Sequence, residues 1–324
     1  MQSSASSVKI WTALSIVYVV WGSTYLAIRW SVETIPPLIS AGSRFAVAGM
    51  LLGVIVLAVR GKAAFRAGWP ASRNGILCGL LVLGGGNGVL VLAETKVPSG
   101  LAALLVAAVP LWLVILRRAT GASVPVLTWV GVVVGLAGVG LLFARGSGGH
   151  TDLRYAALVV VASFSWSVGS FLATRIEVPA EPMVLSTYEM LAAGVVMSAI
   201  AGLRGEYGRL HFADVSTKSW LSLAYLVVFG SLLAFSAYIW VFGNAPTSLV
   251  ATYAYVNPAV AVALGVLLAN EKLNGMELVG GAVILVAVII VVRSESRRPA
   301  RDEPAPVPVP AAGLPAGEEC VTPG

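Results

Sequence analysis

One stretch decides the fold, Pro246-Thr-Ser-Leu-Val-Ala-Thr-Tyr-Ala-Tyr-Val-Asn-Pro258, an apolar segment of helical length between two prolines. An earlier stretch, Pro98-Ser-Gly-Leu-Ala-Ala-Leu-Leu-Val-Ala-Ala-Val-Pro110, repeats it at a constant offset of 148 residues. The offset aligns both prolines, and it also pairs Leu101 with Leu249 and Ala103 with Ala251. Four identities at one spacing indicate that a unit of the chain has been duplicated.

The composition of the chain indicates an integral membrane protein. Charged residues make up 11% of its 324 residues, against about 25% in soluble domains, and apolar residues make up 58%. A soluble protein of this size cannot hide so much apolar surface, so lipid must surround it. The net charge of +6 does not predict a nucleic-acid partner, because the basic residues form short clusters between apolar runs. Cys78 and Cys320 lie in unlike surroundings and do not predict a disulfide framework.

Ten apolar runs are each long enough to cross a hydrocarbon core of about 30 Å as a helix. Short turns separate these runs, and no alternating pattern predicts the strands of a barrel. The sequence therefore predicts an all-α integral membrane protein. The predicted spans are residues 10–29, 38–59, 75–93, 98–116, 125–143, 155–174, 183–203, 219–241, 248–268 and 275–292.

The duplication divides the ten predicted spans into two repeats of five. Because five is odd, the second repeat starts on the opposite side of the membrane, so the two repeats are predicted to be inverted. Such repeats are frequent in secondary transporters, whose substrate site lies between the halves near the midplane. The predicted domains are an N-terminal tail (1–8), a first repeat (9–146), a second repeat (153–293) and a disordered Pro-rich tail (294–324).

Basic residues in short loops predict the orientation. In the first half, seven of them, including Lys9, Arg117 and Arg118, fall on the side of the N-terminus, against Arg29 and Lys96 on the other side. The second half does not decide between the sides. We therefore expect a multi-pass protein of the cell (inner) membrane, with both termini and the Pro-rich tail in the cytoplasm.

Several motifs resemble those of a known family. Val20-Trp21-Gly22-Ser23-Thr24-Tyr25, followed by Pro36-Pro37 and by residues 41–45, resembles the opening of EamA-type permeases of the drug/metabolite transporter superfamily. Gly86-Asn87-Gly88 and residues 97–100 and 253–258 resemble the YedA-like bacterial inner-membrane members. The resemblance covers about residues 9–293. It implies ten helices, two EamA repeats and export of small metabolites or drugs.

The two repeats differ after their fourth spans. Asn270-Glu271-Lys272 stands there in the second repeat, whereas Gly121-Ala122-Ser123 stands there in the first. Any role of this acid therefore belongs to one repeat only.

Two ionisable residues lie about six residues inside their spans, Arg44 in the second and Glu189 in the seventh. At 1.5 Å per residue, each is roughly 9 Å from its own face, which leaves about 12 Å between them and excludes an ion pair of about 4 Å. We predict that Arg44 serves the outer half with Glu94 as its partner, and Glu189 the inner half with Arg175. The alternative is that both side chains snorkel to the interface.

The ninth span carries polar residues that could line a cavity. Ser248, Thr252 and Tyr255 share one helical face, and Asn257 precedes a proline that leaves a carbonyl without its helical donor. The competing interpretation is that the hydroxyls bond to their own helix and that small residues allow close packing. The cavity candidates of this span are Thr252, Tyr253, Tyr255 and Asn257.

Aromatic residues supply the other half of the predicted site, because their faces hold apolar or cationic groups. The competing interpretation is the interfacial aromatic belt, which Trp21 and Trp166 do not fit because they are mid-span. Residues 84–88 lack a phosphate-loop ending and are interpreted as a flexible or close-packed point, with Asn87 in the cavity wall. The aromatic candidates are Trp21, Tyr25, Trp166, Tyr188 and Tyr238.

The sequence thus predicts a secondary transporter that exports small amphipathic metabolites, amino acids or drugs by alternating access. The alternatives are a membrane-embedded enzyme, for which no nucleophile–base pair or paired acid motif is visible, and a receptor or scaffold. We expect no metal and no cofactor. The expected partners are the lipid bilayer and a small-molecule substrate, with proton coupling through Glu189 and Glu94 as a hypothesis and a homo-oligomer left open. The hinge candidates are Pro98, Pro110, Pro246 and Pro258.

Overall fold

A computed structural model describes residues 7–144 and 152–296, except for the side chains of residues 144, 247 and 248. Nine helices within these ranges are long and apolar enough to cross a membrane, and a tenth, in the ninth position, is shorter. The predicted all-α fold is confirmed. The helices are α1 (Ser7–Ser31), α2 (Pro37–Arg60), α3 (Trp69–Glu94), α4 (Ser99–Ala119), α5 (Val126–Ala144), α6 (Leu153–Ala173), α7 (Pro182–Leu203), α8 (Thr217–Asn244), α9 (Thr247–Val250 and Tyr253–Ala269) and α10 (Gly275–Ser296).

Helices α2 and α7 pack against each other through small residues. A Cβ added to Gly42 would lie 2.6 Å from Ser198 Oγ, and one added to Gly53 would lie 3.2 Å from Thr187 Cγ2. Residue numbers therefore rise along α2 while those of the facing residues fall along α7, so the helices are antiparallel. With an offset of 145 residues, Gly42 is equivalent to Thr187 and Gly53 is equivalent to Ser198. Each of the two contacts is therefore the repeat equivalent of the other. A pseudo-two-fold axis thus passes through this pair.

The fifth helices of the two repeats, α5 and α10, pack in the same way. A Cβ added to Gly131 would lie 2.7 Å from Val291 Cγ2, and one added to Gly280 would lie 2.7 Å from Leu142 Cδ2. An offset of 149 again exchanges these two contacts. Two equivalent helices that run antiparallel show that the repeats are inverted, as predicted from their odd number of spans.

The third helix of each repeat contains a π-helical segment, Leu80–Gly88 in α3 and Leu226–Leu233 in α8. Such segments bond i→i+5 and leave carbonyls for neighbouring side chains. Ser165 Oγ donates to the Leu81 carbonyl at 2.8 Å, and Trp21 Nε1 donates to the Gly230 carbonyl at 3.2 Å. The glycine-rich run in α3 is therefore a π-helical, close-packed point.

The fourth helix of each repeat is interrupted, but at different positions. In α4 the turn lies at Ala107–Ala108, and Pro110 follows in the first turn of the second segment. In α9 the turn lies at residues 251–252, and Pro258 lies inside the second segment. The proline spacing is repeated, whereas the position of the break is not.

Several predicted boundaries need correction. Helix α1 begins at Ser7, so the predicted tail of residues 1–8 overlaps it, and α3 begins at Trp69 rather than residue 75. Helix α10 continues to Ser296, into the predicted tail of residues 294–324. The rest of both predicted tails lies outside the described residues.

Candidate functional site

A cavity of about 320 Å³ lies between the two repeats. Its wall is formed by α1, α3 and α4 of the first repeat and by α6, α8, α9 and α10 of the second. Its volume is at the lower end of the range of small-ligand pockets, about 300–1,000 Å³. A site at the repeat interface was expected from the inverted duplication.

Three aromatic rings meet on one side of the cavity. The ring centroids of Trp21 and Tyr238 are 5.1 Å apart, and those of Trp21 and Tyr253 are 5.5 Å apart with an edge-to-face geometry. The rings of Tyr238 and Tyr253 are also edge-to-face, at 5.6 Å. These separations are within the favourable range for aromatic pairs, so the three rings hold one another in place.

Trp21 is further fixed by its hydrogen bond to the Gly230 carbonyl in the π-helical segment of α8. Its N–H is therefore occupied, and what it contributes to the cavity is its ring. Trp166 and Tyr25 also line the cavity, on α6 and α1. Trp166 lies against α3, where a Cβ added to Gly86 would be 3.0 Å from the indole Cε3.

Hydrogen-bond acceptors face the same cavity. Asn257 lines it, and its Oδ1 is buried without a hydrogen-bond partner among the described residues. Ala254 lines it as well, and its carbonyl lacks the usual helical donor because Pro258, four residues on and inside the same helical segment, has no N–H. A buried acceptor without a donor costs about 1–3 kcal/mol, which a bound ligand with an N–H or O–H group would recover.

The lining residues within the described ranges include no Asp, Glu, Lys, Arg or His. Their polar side chains are uncharged: Thr24, Asn87, Ser163 and Asn257, with the tyrosines. A cavity of this kind suits a neutral or zwitterionic amphipathic solute, or a cation held by aromatic faces. The structure thus brings together seven of the predicted site residues, namely Trp21, Tyr25, Asn87, Trp166, Tyr238, Tyr253 and Asn257, with two of the predicted hinge residues, Pro110 and Pro258.

Three predicted residues lie elsewhere. Arg44 is buried outside the cavity wall, with its Nε donating to Ser231 Oγ at 3.0 Å and its Nη2 3.4 Å from a Cβ added to Gly230. Glu189 is half-buried against α3, where a Cβ added to Gly79 would be 2.3 Å from its Cα. Tyr188 packs edge-to-face against Phe65, with their centroids 6.1 Å apart.

Two predicted residues of α9 also lie outside the cavity wall. The hydroxyl of Thr252 hydrogen bonds with the Tyr18 hydroxyl and with the Leu249 carbonyl of its own helix. Tyr255 is half-buried and packs against the apolar core cluster that α4, α5 and α10 share. Of the remaining hinge candidates, Pro98 directly precedes α4 and Pro246 directly precedes α9.

Sequence reasoning missed part of the wall. Thr24 stands beside Tyr25 in a motif already singled out, so its spacing from Trp21 could have identified it. Ser163 looks like an ordinary small residue of an apolar helix, and it accepts a hydrogen bond from Trp112 Nε1 at 3.0 Å. The apolar residues carry no signal at all: Ile28, Leu90, Val106, Ala107, Val109, Leu113, Ala162, Phe242, Val250, Ala251, Ala254 and Val292.

Two buried acids fix helix ends on the side opposite the chain termini. Glu271 accepts from Ser99 N and Ser99 Oγ, both at 2.8 Å, and from Gly100 N at 3.0 Å, so it caps the start of α4. Its Oε1 is also 3.6 Å from Arg29 Nε. Glu206 caps α2 in the same manner, by accepting from two backbone N–H groups at 2.9 and 3.2 Å. These bonds hold that end of the bundle together.

The matches to known proteins agree with this architecture. Residues 9–144, and again residues 153–293, match the EamA-like transporter family. The chain belongs to that family. It is 41% identical over 301 residues to the "Uncharacterized inner membrane transporter YedA" of Escherichia coli K12, an alignment that covers 91% of this chain and 94% of the relative. The protein is therefore a membrane protein related to transporters.

More distant relatives extend the match. The "Probable amino-acid metabolite efflux pump" of Escherichia coli K12 is 25% identical over 291 residues, which cover 85% of this chain and 92% of that protein. A solved protein crystal structure is 20% identical and superimposes with a TM-score of 0.59 over 88% of this chain and 96% of that one. The latter likeness concerns the fold alone.

Proposed function

We propose that this protein is a secondary transporter that exports small amphipathic solutes, amino acids or drugs among them, by alternating access. The cavity between the repeats is its substrate site. The aromatic cluster of Trp21, Tyr238 and Tyr253 holds the apolar or cationic part of the solute. Asn257 Oδ1 accepts a hydrogen bond from its polar part. The unpartnered acceptor beside the three rings is the observation that carries the proposal.

Alternating access requires that the two repeats move relative to each other around the site. The breaks in α4 and α9, with Pro110 and Pro258 beside the cavity, are the proposed hinges. The bonds of Glu271 and Glu206 hold helix ends together on the side opposite the termini. We place both termini on the cytoplasmic side of the inner membrane, so that this end of the bundle faces outwards. The relatives named as transporters and efflux pumps support transport rather than catalysis.

The test is transport by the purified full chain in proteoliposomes, with radiolabelled L-phenylalanine as an amphipathic zwitterion and tetraphenylphosphonium as an apolar cation. We expect at least one probe to be taken up and Trp21→Ala to reduce uptake by roughly 3- to 30-fold, because an aromatic contact is worth about 0.5–2 kcal/mol. Trp69→Ala is the matched control, because Trp69 is exposed on α3, away from the cavity. Equal losses in both variants would contradict the cavity assignment, and no uptake of either probe would contradict the proposed substrate class.

A further inference from the structure

An unbonded acid lies just beyond the cavity. Asn87 and Leu90 of α3 line the cavity, and Glu94 continues the same helical face one turn further along. Glu94 is only 1% exposed, and neither of its carboxylate oxygens has a hydrogen-bond partner among the described residues. This residue therefore lies between the cavity and the end of the bundle where Glu271 and Glu206 cap helices.

The groups around Glu94 come from three other parts of the fold. Tyr25 and Arg29 belong to α1, Arg44 belongs to α2, and Glu271 lies between α9 and α10; the charges of the last three act on Glu94. Arg44 is 6% exposed, and its Nη1 has no partner in the described part of the chain. A buried acid and a buried base thus both have unused hydrogen-bonding capacity.

Glu271 and Glu94 differ in the hydrogen-bond donors that could stabilise a negative charge on the carboxylate. Glu271 accepts three hydrogen bonds at the start of α4 and pairs with Arg29, so its partners stabilise a carboxylate. Glu94 receives no such bond. A buried carboxylate without donors is costly, and binding a proton removes both the charge and the repulsion from Glu271.

We propose that Glu94 is the proton-binding site that drives transport, and that Arg44 is its alternate partner. This inference rests on the proposed transport function. Glu94 takes up a proton from water when the side opposite the termini opens, and keeps the proton when that side closes. It then gives the proton up towards the cavity. The carboxylate left behind is stabilised by Arg44, which turns from Ser231 to Glu94.

The protonated acid can be detected without any substrate. Infrared difference spectra of the full chain in liposomes, recorded over a pH titration, should contain the C=O stretching band of a protonated carboxylic acid. The band should be lost in Glu94→Gln and kept in Glu33→Gln, whose side chain is at the exposed end of α1. A band that survives in Glu94→Gln, or that is lost in Glu189→Gln instead, would overturn the proposal.

A second variant keeps the test decisive if Glu94→Gln does not fold. Glu94→Asp retains an acid at the site, and labelling with isotope-substituted aspartate should shift the band in this variant but not in the wild type. An unshifted band in Glu94→Asp would place the protonated acid elsewhere.

Transport measurements then separate coupling from the proposed function itself. Solute counterflow needs no net proton movement, so Glu94→Gln should retain counterflow of the transported probe while losing accumulation driven by a pH gradient. Gradient-driven accumulation by Glu94→Gln would refute the role of Glu94 in coupling. Absence of counterflow in the wild type would contradict the transport function instead, and would leave the infrared result standing.

Discussion

Helices α4 and α9 occupy equivalent places in the two repeats and yet do different things. All seven residues of Ser99–Leu105 in α4 are buried, whereas Tyr253–Val256 of α9 are only partly buried, and two of these four, Tyr253 and Ala254, line the cavity. The offset of 148 pairs Leu105 with Tyr253 and Val109 with Asn257. Helix α4 therefore supplies an apolar part of the wall, whereas α9 supplies an aromatic ring and a hydrogen-bond acceptor.

The difference shows how a duplicated sequence acquires two roles. Both helices keep a cavity-lining residue four positions before a proline, Val106 in α4 and Ala254 in α9. Only α4 is anchored at its start by Glu271, an acid that the first repeat does not repeat. We infer that anchoring and buried packing fix the first segment of α4, before its break, whereas α9 carries the recognition chemistry.

Removing the anchor of α4 should have the largest effect. Glu271→Ala breaks three hydrogen bonds and leaves Arg29 without its carboxylate, so we expect a loss of about 3–5 kcal/mol of unfolding free energy. Thermal unfolding followed by tryptophan fluorescence measures it. Glu33→Ala removes an exposed ion pair with Lys218 and should cost less than about 1 kcal/mol. A Glu271→Ala protein as stable as this control would contradict the anchoring role.

The next largest effect is expected from crowding the contact between α1 and α9. A Cβ added to Gly22 would lie 2.7 Å from Val260 Cβ and 3.0 Å from the Asn257 carbonyl. Gly22→Ala should therefore displace α9 at a cost of about 1–3 kcal/mol. Gly140→Ala in α5 is the control, because within the described part of the chain no packing neighbour lies within 4 Å of its added Cβ. Size-exclusion chromatography after heating measures the difference, and equal stability of the two variants would argue against close packing at Gly22.

Separate substitutions of Asn257 and Val109 test the chemical difference between α9 and α4 directly. Asn257→Val makes α9 resemble α4 and should weaken binding of the transported probe by about 1–2 kcal/mol, a factor of roughly 5 to 30, because the acceptor is lost. Val109→Ala, in the equivalent position, should alter binding much less. Equilibrium binding by quenching of tryptophan fluorescence gives both constants. Similar losses in the two variants would show that the repeats contribute equally.

Substitution of the two prolines should have the smallest effects on the unfolding free energy, and only Pro258→Ala should clearly raise it. Pro258 lies inside its helical segment, so Pro258→Ala should restore one hydrogen bond to Ala254 and add about 1 kcal/mol of stability. Pro110 lies in the first turn of its segment, where the N–H has no helical acceptor, so Pro110→Ala should change stability by less than about 0.5 kcal/mol. If Pro258→Ala is more stable but transports more slowly, the break in α9 acts as a hinge. If transport is unchanged, it does not.

The order and inversion of the helices could be predicted, because apolar length and the duplication are local properties of the sequence. The cavity could be predicted in part. Trp21 and Trp166 stood out because aromatic residues at mid-span do not fit the interfacial belt. Arg44 and Glu189 were predicted in the cavity from their depth alone, and depth does not report which way a side chain points. Arg44 lies outside the cavity wall and donates to Ser231, and Glu189 packs on Gly79.

The sequence by itself determined that this is a membrane protein of ten helices in two inverted repeats, and that α9 differs chemically from α4. Only the tertiary structure decided which of the polar residues of α9 meet the cavity. The break in α9 lies at residues 251–252, seven and six residues before its proline, whereas the break in α4 comes three and two residues before its own. A turn that interrupts a helix changes the rotation of the residues after it, so the neighbours of the equivalent prolines Pro110 and Pro258 match only in part: Val109 and Asn257 both line the wall, whereas Ala107 lines it and its counterpart Tyr255 does not. Within α9, Tyr253 and Asn257 line the cavity wall and Tyr255 does not. The rotation of this segment is fixed by packing against the neighbouring helices and not by the repeat.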